Sequence, residues 1–390
     1  MGKNFLMVAK TLYGLEDLLV KELRDLGASE IEKGVRSVSF QGDTGFMYKA
    51  NLCCRTAVRI LKPISSFNVF DEDQLYKRIY EIPWENHMDS RGTLSVESTV
   101  FSKRFTHSKY IALKTKDAIV DRFRDRFGHR PDIDRYHASL HVHIHIDRQI
   151  ATVSLNSSGP SLHRRGYRVA PVAAPVSEVL AAGLIMLSGW SGQCDFLDPM
   201  CGGGTIPIEA AMIACNIPAN INRAEFGFEH WPDYDPELFE LIRNSALKRV
   251  KEFHFKIYAR DRDPLAIRKT KANVGEASLE EFIDIQQADF INSEKEDKEK
   301  NLFILTNPPY DQRLSLRDVS DFYGRIGSTL KHGYAGSEAW LFAANETALK
   351  SIGLKPKKKI KLYNGKLEAR LVGFNLFSGT LKARKSTSTS

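Results

Sequence analysis

The sequence predicts an α/β fold, with a doubly wound, Rossmann-like sheet in the second half and a smaller α+β region before it. Three observations carry this prediction. The stretch CDFLDPMCGGGTIPIEAAMIAC, Cys194 to Cys215, reads as a short apolar strand, a glycine turn and a helix. The later strand-like segments Phe255–Ala259, Ile283–Gln287 and Leu302–Thr306 are each followed closely by a polar residue suited to the carboxyl edge of such a sheet. From Phe5 to Leu61 the pattern instead alternates strand, helix, strand, helix and strand.

Bulk properties bound the function before any motif does. A chain of 390 residues, 42% of them hydrophobic, can form two or three domains with substantial cores. The net charge of +8 and pI of about 9.1 suit a polyanionic partner. Five cysteines, with Cys53 and Cys54 adjacent and no C-x-x-C pair, give neither a disulfide framework nor a zinc site; reduced thiols in the cytoplasm are expected. The apolar run before Lys10 is too short for a signal peptide or a membrane span. The final LKARKSTSTS lacks apolar residues after Leu381, and residues 383–390 read as a disordered basic tail.

In chain order, Phe5–Val8 is strand-like, and Gly14–Leu26 is an amphipathic helix with Leu15, Leu18, Leu19, Leu23 and Leu26 on one face and Gly27 closing it. A strand at Val35–Phe40, a helix at Thr44–Leu52 and a strand at Ala57–Leu61 complete a ferredoxin-like pattern over residues 1–60. Beyond Phe67 the charge changes. Lys103, Arg104, Lys109, Lys114, Lys116, Arg122, Arg124, Arg126 and Arg130 interleave with Phe101, Phe105, His107 and Tyr110, a mixture suited to sugar-phosphate and exposed bases. On the helix Tyr110–Phe127 a solvated face balanced by Asp117, Asp121 and Asp125 explains the charges equally well. The loop Ser102–Lys109 has few acids, so Lys103, Arg104 and Lys109 are the candidate RNA contacts there.

His141, His143 and His145 share one face of the next strand, as metal ligands would. An amphipathic strand accounts for them too and no fourth ligand is signalled, so no metal is expected. Asp147-Arg148-Gln149 turns the chain into a return strand, Ile150–Leu155. Residues 157–176, rich in Gly, Pro and Ser with Pro171 and Pro175 barring a helix, form a linker. Its His163, Arg164, Arg165, Tyr167 and Arg168 make a second basic and aromatic cluster suited to RNA. Ser177 then caps a helix at Glu178–Leu187.

At the glycine turn, Gly202 and Gly204 match the first two glycines of G-x-G-x-x-G, but Pro207 replaces the third, which argues against a dinucleotide. Asp198, just before the turn, would repel a pyrophosphate yet attract the ammonium and sulfonium charges of S-adenosylmethionine. The flanking Pro199, Cys201 and Thr205 belong to the same candidate cofactor set. A tight turn without a ligand is the plainer alternative. After an insertion ending in a helix from about Pro236 to Phe253, Asp261 stands near the end of the second strand, placed to accept ribose hydroxyls, with Asp263 as its rival. Asp289 follows the third strand, as an acceptor for the adenine amine or as a turn cap. The fourth strand runs into Asn307-Pro308-Pro309-Tyr310. There the Asn307 side chain and the Pro308 carbonyl can grip both hydrogens of a planar amine, while Tyr310 stacks on its base.

The loop DPMCGGGTIPIEAAM, the tetrapeptide NPPY, the linker SLHRRGYR and the late KLYNGKLEARL resemble the THUMP-containing class I RNA methyltransferases, most closely the guanine-N2 methyltransferases of bacterial large-subunit ribosomal RNA. The resemblance implies a ferredoxin-like domain at 1–60, a THUMP RNA-binding domain at 44–156 and a seven-stranded methyltransferase domain at 177–382. It also implies S-adenosylmethionine as cofactor, ribosomal RNA as partner, a cytoplasmic monomer or weak homodimer, and direct transfer to the exocyclic amine of a flipped guanine. Relatives of this kind can carry a second methyltransferase domain, so a chain ending at Ser390 is expected to lack that second activity. Transfer RNA as substrate, adenine N6 as target and a non-catalytic assembly factor remain alternatives.

Overall fold

The chain divides into two units that are not contiguous in sequence: unit 1 comprises Met1–Arg164 and Arg223–Lys248, and unit 2 comprises Arg165–Asn222 and Arg249–Ser390. This computed structural model describes residues 3–134, 137–170, 176–309 and 316–377.

Unit 1 opens with β1 (Phe5–Thr11), α1 (Glu16–Leu26), β2 (Ser29–Gly34), β3 (Ser37–Gly42), α2 (Thr44–Cys53) and β4 (Ala57–Asn68). It continues through α3 (Glu72–Glu81), β5 (Thr93–Phe101), α4 (Ser108–Phe127), β6 (Asp132–Ile133), β7 (Leu140–Asp147) and β8 (Ile150–Asn156). All eight strands form one sheet in the order β2-β3-β1-β4-β8-β7-β5-β6. The long β4 makes this possible, because its first residues pair with β1 and the rest with β8. The expected strand at Ala57–Leu61 therefore continues to Asn68, and the two parts of the unit share a ladder. Alternating residues Met7, Ala9, Phe40, Ile60, Val142, Ile144 and Ile146 are fully buried, the burial an amphipathic sheet needs on its core face.

Unit 2 begins with α5 (Glu178–Ser188), β9 (Asp195–Asp198) and α6 (Thr205–Ala214); α7 (Pro236–Leu247) then falls in the segment that belongs to unit 1. The second unit resumes with β10 (Ile257–Asp261), α8 (Pro264–Glu276), β11 (Ile283–Gln287), β12 (Leu302–Thr306), α9 (Leu316–Gly333), β13 (Glu338–Ala343), α10 (Glu346–Ser351), β14 (Lys358–Asn364) and β15 (Leu367–Asn375). Its seven-stranded sheet has the order β11-β10-β9-β12-β13-β15-β14, parallel from β11 to β13 and antiparallel in the last two pairings. From β9 the order grows first one way and then the other, so the switch point lies between β9 and β12. Tyr323, Ile326 and Leu330 of α9 pack on Ile304, Ala339 and Leu341 to close one face.

The allegiance of residues 223–248 corrects the expectation that 177–382 is a single domain. Arg223 donates from Nη1 to the Ser161 and Arg164 carbonyls at 3.1 and 2.7 Å, and from Nη2 to those of Ser158 and Pro160 at 3.1 and 3.0 Å. Tyr48 of α2 stacks on Phe228 with ring centroids 4.3 Å apart, and its hydroxyl accepts the Asp235 N–H at 3.1 Å. Gly227 lies so close to Gly159 that a Cβ would stand 2.6 Å from the Gly159 nitrogen.

Candidate active site

At the switch point the strand ends converge on a cavity of about 570 Å³ whose lining includes Asp198, Gly202, Asp261, Asp289, Asn307 and Pro308. Crevices of this kind, at the carboxyl ends of strands where the order reverses, are where open α/β sheets bind ligands. Pro199, Cys201, Thr205 and Pro309 also line it.

The glycine loop is held on every side. Its Cys201 N–H donates to the Arg260 carbonyl at 2.9 Å, and its Gly202 N–H to Asp261 Oδ2 at 2.9 Å. From α8, Thr270 Oγ1 donates to the Gly202 carbonyl and Asn273 Nδ2 to the Gly203 carbonyl, both at 2.9 Å. Gly204 has φ +79°, and a Cβ there would lie 2.8 Å from Thr270 Cγ2, so glycine is required for both conformation and space. The adjacent Cys201 is buried, and burial holds its thiol well above the usual range.

Asp198, the last residue of β9, is 1% exposed. Burial pushes its pKa up to about 7, with the Thr306 hydroxyl and the Met200 N–H pulling the other way and the Asp261 charge adding to the rise. Among the described residues no cation lies within ion-pair distance of it. A carboxylate placed this way at the wall of a cavity gains most from a cationic ligand.

The two acids left as rivals occupy different positions. Asp263 caps α8, accepting the Leu265 N–H at 2.9 Å, and is exposed. Asp261 is half-buried and accepts the Gly202 and Asp263 N–H groups, both at 2.9 Å, which places its carboxylate between loop and helix. Asp289 is exposed and accepts the Ile291 N–H at 2.9 Å, so it caps a turn while also lining the cavity. Asn307 directly follows β12, with Pro308 buried and Pro309 exposed beside it; Tyr310 lies outside the described residues.

The linker cluster needs correction. Arg165 and Tyr167 are each only 1% exposed. The Arg165 guanidinium meets Glu209 of α6 at 3.4 Å and donates to Asn220 Oδ1 at 3.0 Å, and the Tyr167 hydroxyl donates to Glu209 at 2.9 Å. Neither is placed to meet RNA, because each neutralises or satisfies a buried carboxylate. Arg168 is half-buried, pairing with Glu178 at 3.2 Å and donating to Thr205 Oγ1 at 3.0 Å. Only Arg164 of this group is exposed.

In unit 1 the basic residues separate. On α4, Lys114 pairs with Asp73, Arg122 bidentately with Glu85, Arg124 with Asp121 and Arg126 with Glu85. Lys103, Arg104 and Lys109 are exposed with no acid at ion-pair distance among the described residues, and Arg104 lies 5.8 Å from the Phe70 ring centroid. His143 is buried, its pKa pushed down to about 3 by burial and by Arg59, Lys10 and His145, and its Nε2 lies 3.1 Å from Thr99 Oγ1. Among the described residues no group of three His, Cys, Asp or Glu side chains could hold a metal, and no helix is long and apolar enough to cross a membrane.

Sequence reasoning missed the apolar wall of the cavity: Val176, Ile206, Phe290, Ile291 and Phe322. The available signal was Asp289-Phe290-Ile291, a pair of apolar residues directly after a strand-end acid. It also missed Asn273, whose position in the last turn of α8 gives no hint of a loop partner.

Comparison with known proteins agrees with this geometry. Residues 165–372 match the RMKL-like methyltransferase domain, 69–156 the THUMP domain and 7–61 the RlmL ferredoxin-like domain. The fold class expected from sequence is thereby borne out. The chain is 38% identical over 374 residues to the ribosomal RNA large subunit methyltransferase K/L of Syntrophotalea carbinolica, covering 93% of this chain and 52% of that one. It thus spans about half the length of the curated relatives it matches. Among solved structures, SMU.472 in complex with SAH superimposes with a TM-score of 0.85 at 30% identity, over 97% of this chain and 100% of that one. A protein described as a predicted N6-adenine-specific DNA methylase, from Listeria monocytogenes, gives 0.83 at 29% identity, over 96% and 97%. With a single family matching more than half of its residues, the chain belongs to the RMKL-like methyltransferase-domain family.

Proposed function

We propose that the protein transfers a methyl group from S-adenosylmethionine to the exocyclic N2 amine of a guanine in large-subunit ribosomal RNA, in the cytoplasm. The observation that carries this reading is the buried Asp198, with no cation at ion-pair distance among the described residues, beside a pinned glycine loop and with Asn307 on the same cavity. The SAH complex of SMU.472 and the names of the curated relatives support it.

The described residues fit the cofactor. Asp198 and the Gly202–Thr205 loop would hold its methionine end, Asp261 the ribose, and Asp289 with Phe290 and Ile291 the adenine. When bound, the cofactor supplies an electrophilic methyl on a sulfonium. The chain's own share is positioning. Asn307 and the Pro308 carbonyl accept the hydrogens of the target amine, which favours the pyramidal geometry in which its lone pair is available. In the transfer the amine would gain the methyl carbon and release one proton to solvent, the electron pair of the broken S–C bond remaining with the donor sulfur. Lys103, Arg104, Lys109 and Arg164 would contact phosphates, which position RNA without reading its sequence.

Adenine N6 is the second reading, favoured by the Listeria relative's description and by the suitability of the NPPY sequence for either amine. Mass mapping of nucleosides in ribosomal RNA from a deletion strain decides between them. Loss of an N2-methylguanosine supports the proposal; loss of an N6-methyladenosine, or no loss, overturns it.

A further inference from the structure

The segment Arg165–Ala170 runs as a strap behind the glycine loop, and two separate paths tie it there. Arg168 Nη2 donates to Thr205 Oγ1 at 3.0 Å and to the Val176 carbonyl at 3.1 Å, while its Nε faces Glu178 at 3.2 Å. The Val169 and Ala170 N–H groups both donate to Asn273 Oδ1 at 3.0 Å, and the amide's other end donates to the Gly203 carbonyl at 2.9 Å. Asn273 is 2% exposed. The two paths end on Gly203 and Thr205, the residues either side of Gly204 with its φ of +79°.

We propose that Arg168 and Asn273 are positioning residues for the methyl transfer, bracing the glycine loop in its cofactor-binding shape through the strap. The inference rests on the cofactor reading above and extends it to residues that line no part of the cavity. The orientation of Asn273 is fixed by its partners, since two N–H groups require its oxygen and a carbonyl requires its nitrogen. A further anchor of the strap, made by Arg165 and Tyr167 to Glu209 in the body of α6, touches neither Gly203 nor Thr205. The Glu209 anchor can therefore be removed without touching either contact to the loop.

Asn273→Asp keeps the acceptor for the strap but turns an acceptor toward the Gly203 carbonyl, and Arg168→Lys keeps the charge facing Glu178 but loses the forked reach to Thr205 and Val176. In the full chain, both variants are expected to raise the Kd for S-adenosylmethionine about tenfold, as loss of one buried hydrogen bond does. Both should lower kcat with the KM for RNA unchanged, and speed amide hydrogen exchange at Cys201–Ile206 in the cofactor-free protein. Tyr167→Phe, which loses only the bond to Glu209, should lower Tm without either effect. Unchanged loop exchange in folded Asn273→Asp overturns the proposal, as does equal acceleration in Tyr167→Phe. If the natural protein binds no S-adenosylmethionine the cofactor reading falls, while loop exchange still decides the brace.

Discussion

Asp261 Oδ2 accepts the Gly202 N–H at 2.9 Å, so the acid that ends one strand fixes the turn that leaves its neighbour. The same carboxylate accepts the Asp263 N–H, which couples the loop to the start of α8. Asp261 thus shapes the cavity as well as lining it, and this separates it from Asp263.

Asp261→Ala is expected to weaken S-adenosylmethionine binding by roughly 10- to 100-fold, the range for losing a hydrogen bond to a charged group of about 1.5–3 kcal/mol. Asp263→Ala removes a helix cap, so its main effect should be a stability loss of about 1 kcal/mol. Calorimetric titration beside thermal melts distinguishes them, and equal losses of affinity would remove Asp261 from its assigned place.

The raised pKa of Asp198 gives a pH dependence with a definite sign. Its folded value, about 7, lies above the ordinary aspartate value of 3.8, so its contribution to the stability of the cofactor-free protein is complete below 3.8 and lost as pH rises through 7. A cationic cofactor needs the ionised form. Affinity should therefore strengthen as pH rises from 5 toward 7, by up to about tenfold per unit. Glu178, also pushed to about 7 by burial, titrates in this window. Asp198→Asn is the control: it should bind weakly and lose the pH slope, and a retained slope would assign the titration elsewhere.

Asn307→Ala should leave cofactor affinity near normal and cut kcat by on the order of 10²-fold, as loss of one preorganised contact to a reacting group does. Single-turnover rates measured with saturating RNA check this. Parallel losses in affinity and rate would place Asn307 on the cofactor instead of the base.

Replacing Lys103, Arg104 and Lys109 together by Ala should raise the KM for RNA and leave cofactor binding unchanged. If each contacts one phosphate, the slope of log affinity against log salt should become shallower by roughly 2. An unchanged slope would exclude phosphate contact.

Much of unit 2 was legible: Leu302–Thr306 is a continuous apolar run that ends at a turn, and Ile283–Gln287 alternates apolar and polar residues before a strand-end acid, so both match the expected bounds. The edge strand β2 was not, since SEIEKG lies exposed and carries no apolar alternation. The linker cluster misled for a physical reason. HRRGYR looks solvated, yet Arg165 and Tyr167 answer Glu209, and Arg168 answers Glu178, acids buried within the apolar helices TIPIEAAMIA and EVLAAGLIMLS. A lone acid in such a helix asks for a cation from elsewhere in the chain, and that was the available clue. The destination of residues 223–248 left no such clue, because an amphipathic helix shows that it has a partner face without showing which one it meets.

That destination bears on how the protein is made. Unit 1 lacks Arg223–Lys248 when Arg164 leaves the ribosome, and receives it only after part of unit 2 has been synthesised. At 5–20 residues per second the delay is about 4–17 s. Throughout that interval α2 presents Tyr48 without Phe228 and the carbonyls of Ser158 to Arg164 wait for Arg223. The first half of this chain therefore completes its fold only once Lys248 has been synthesised.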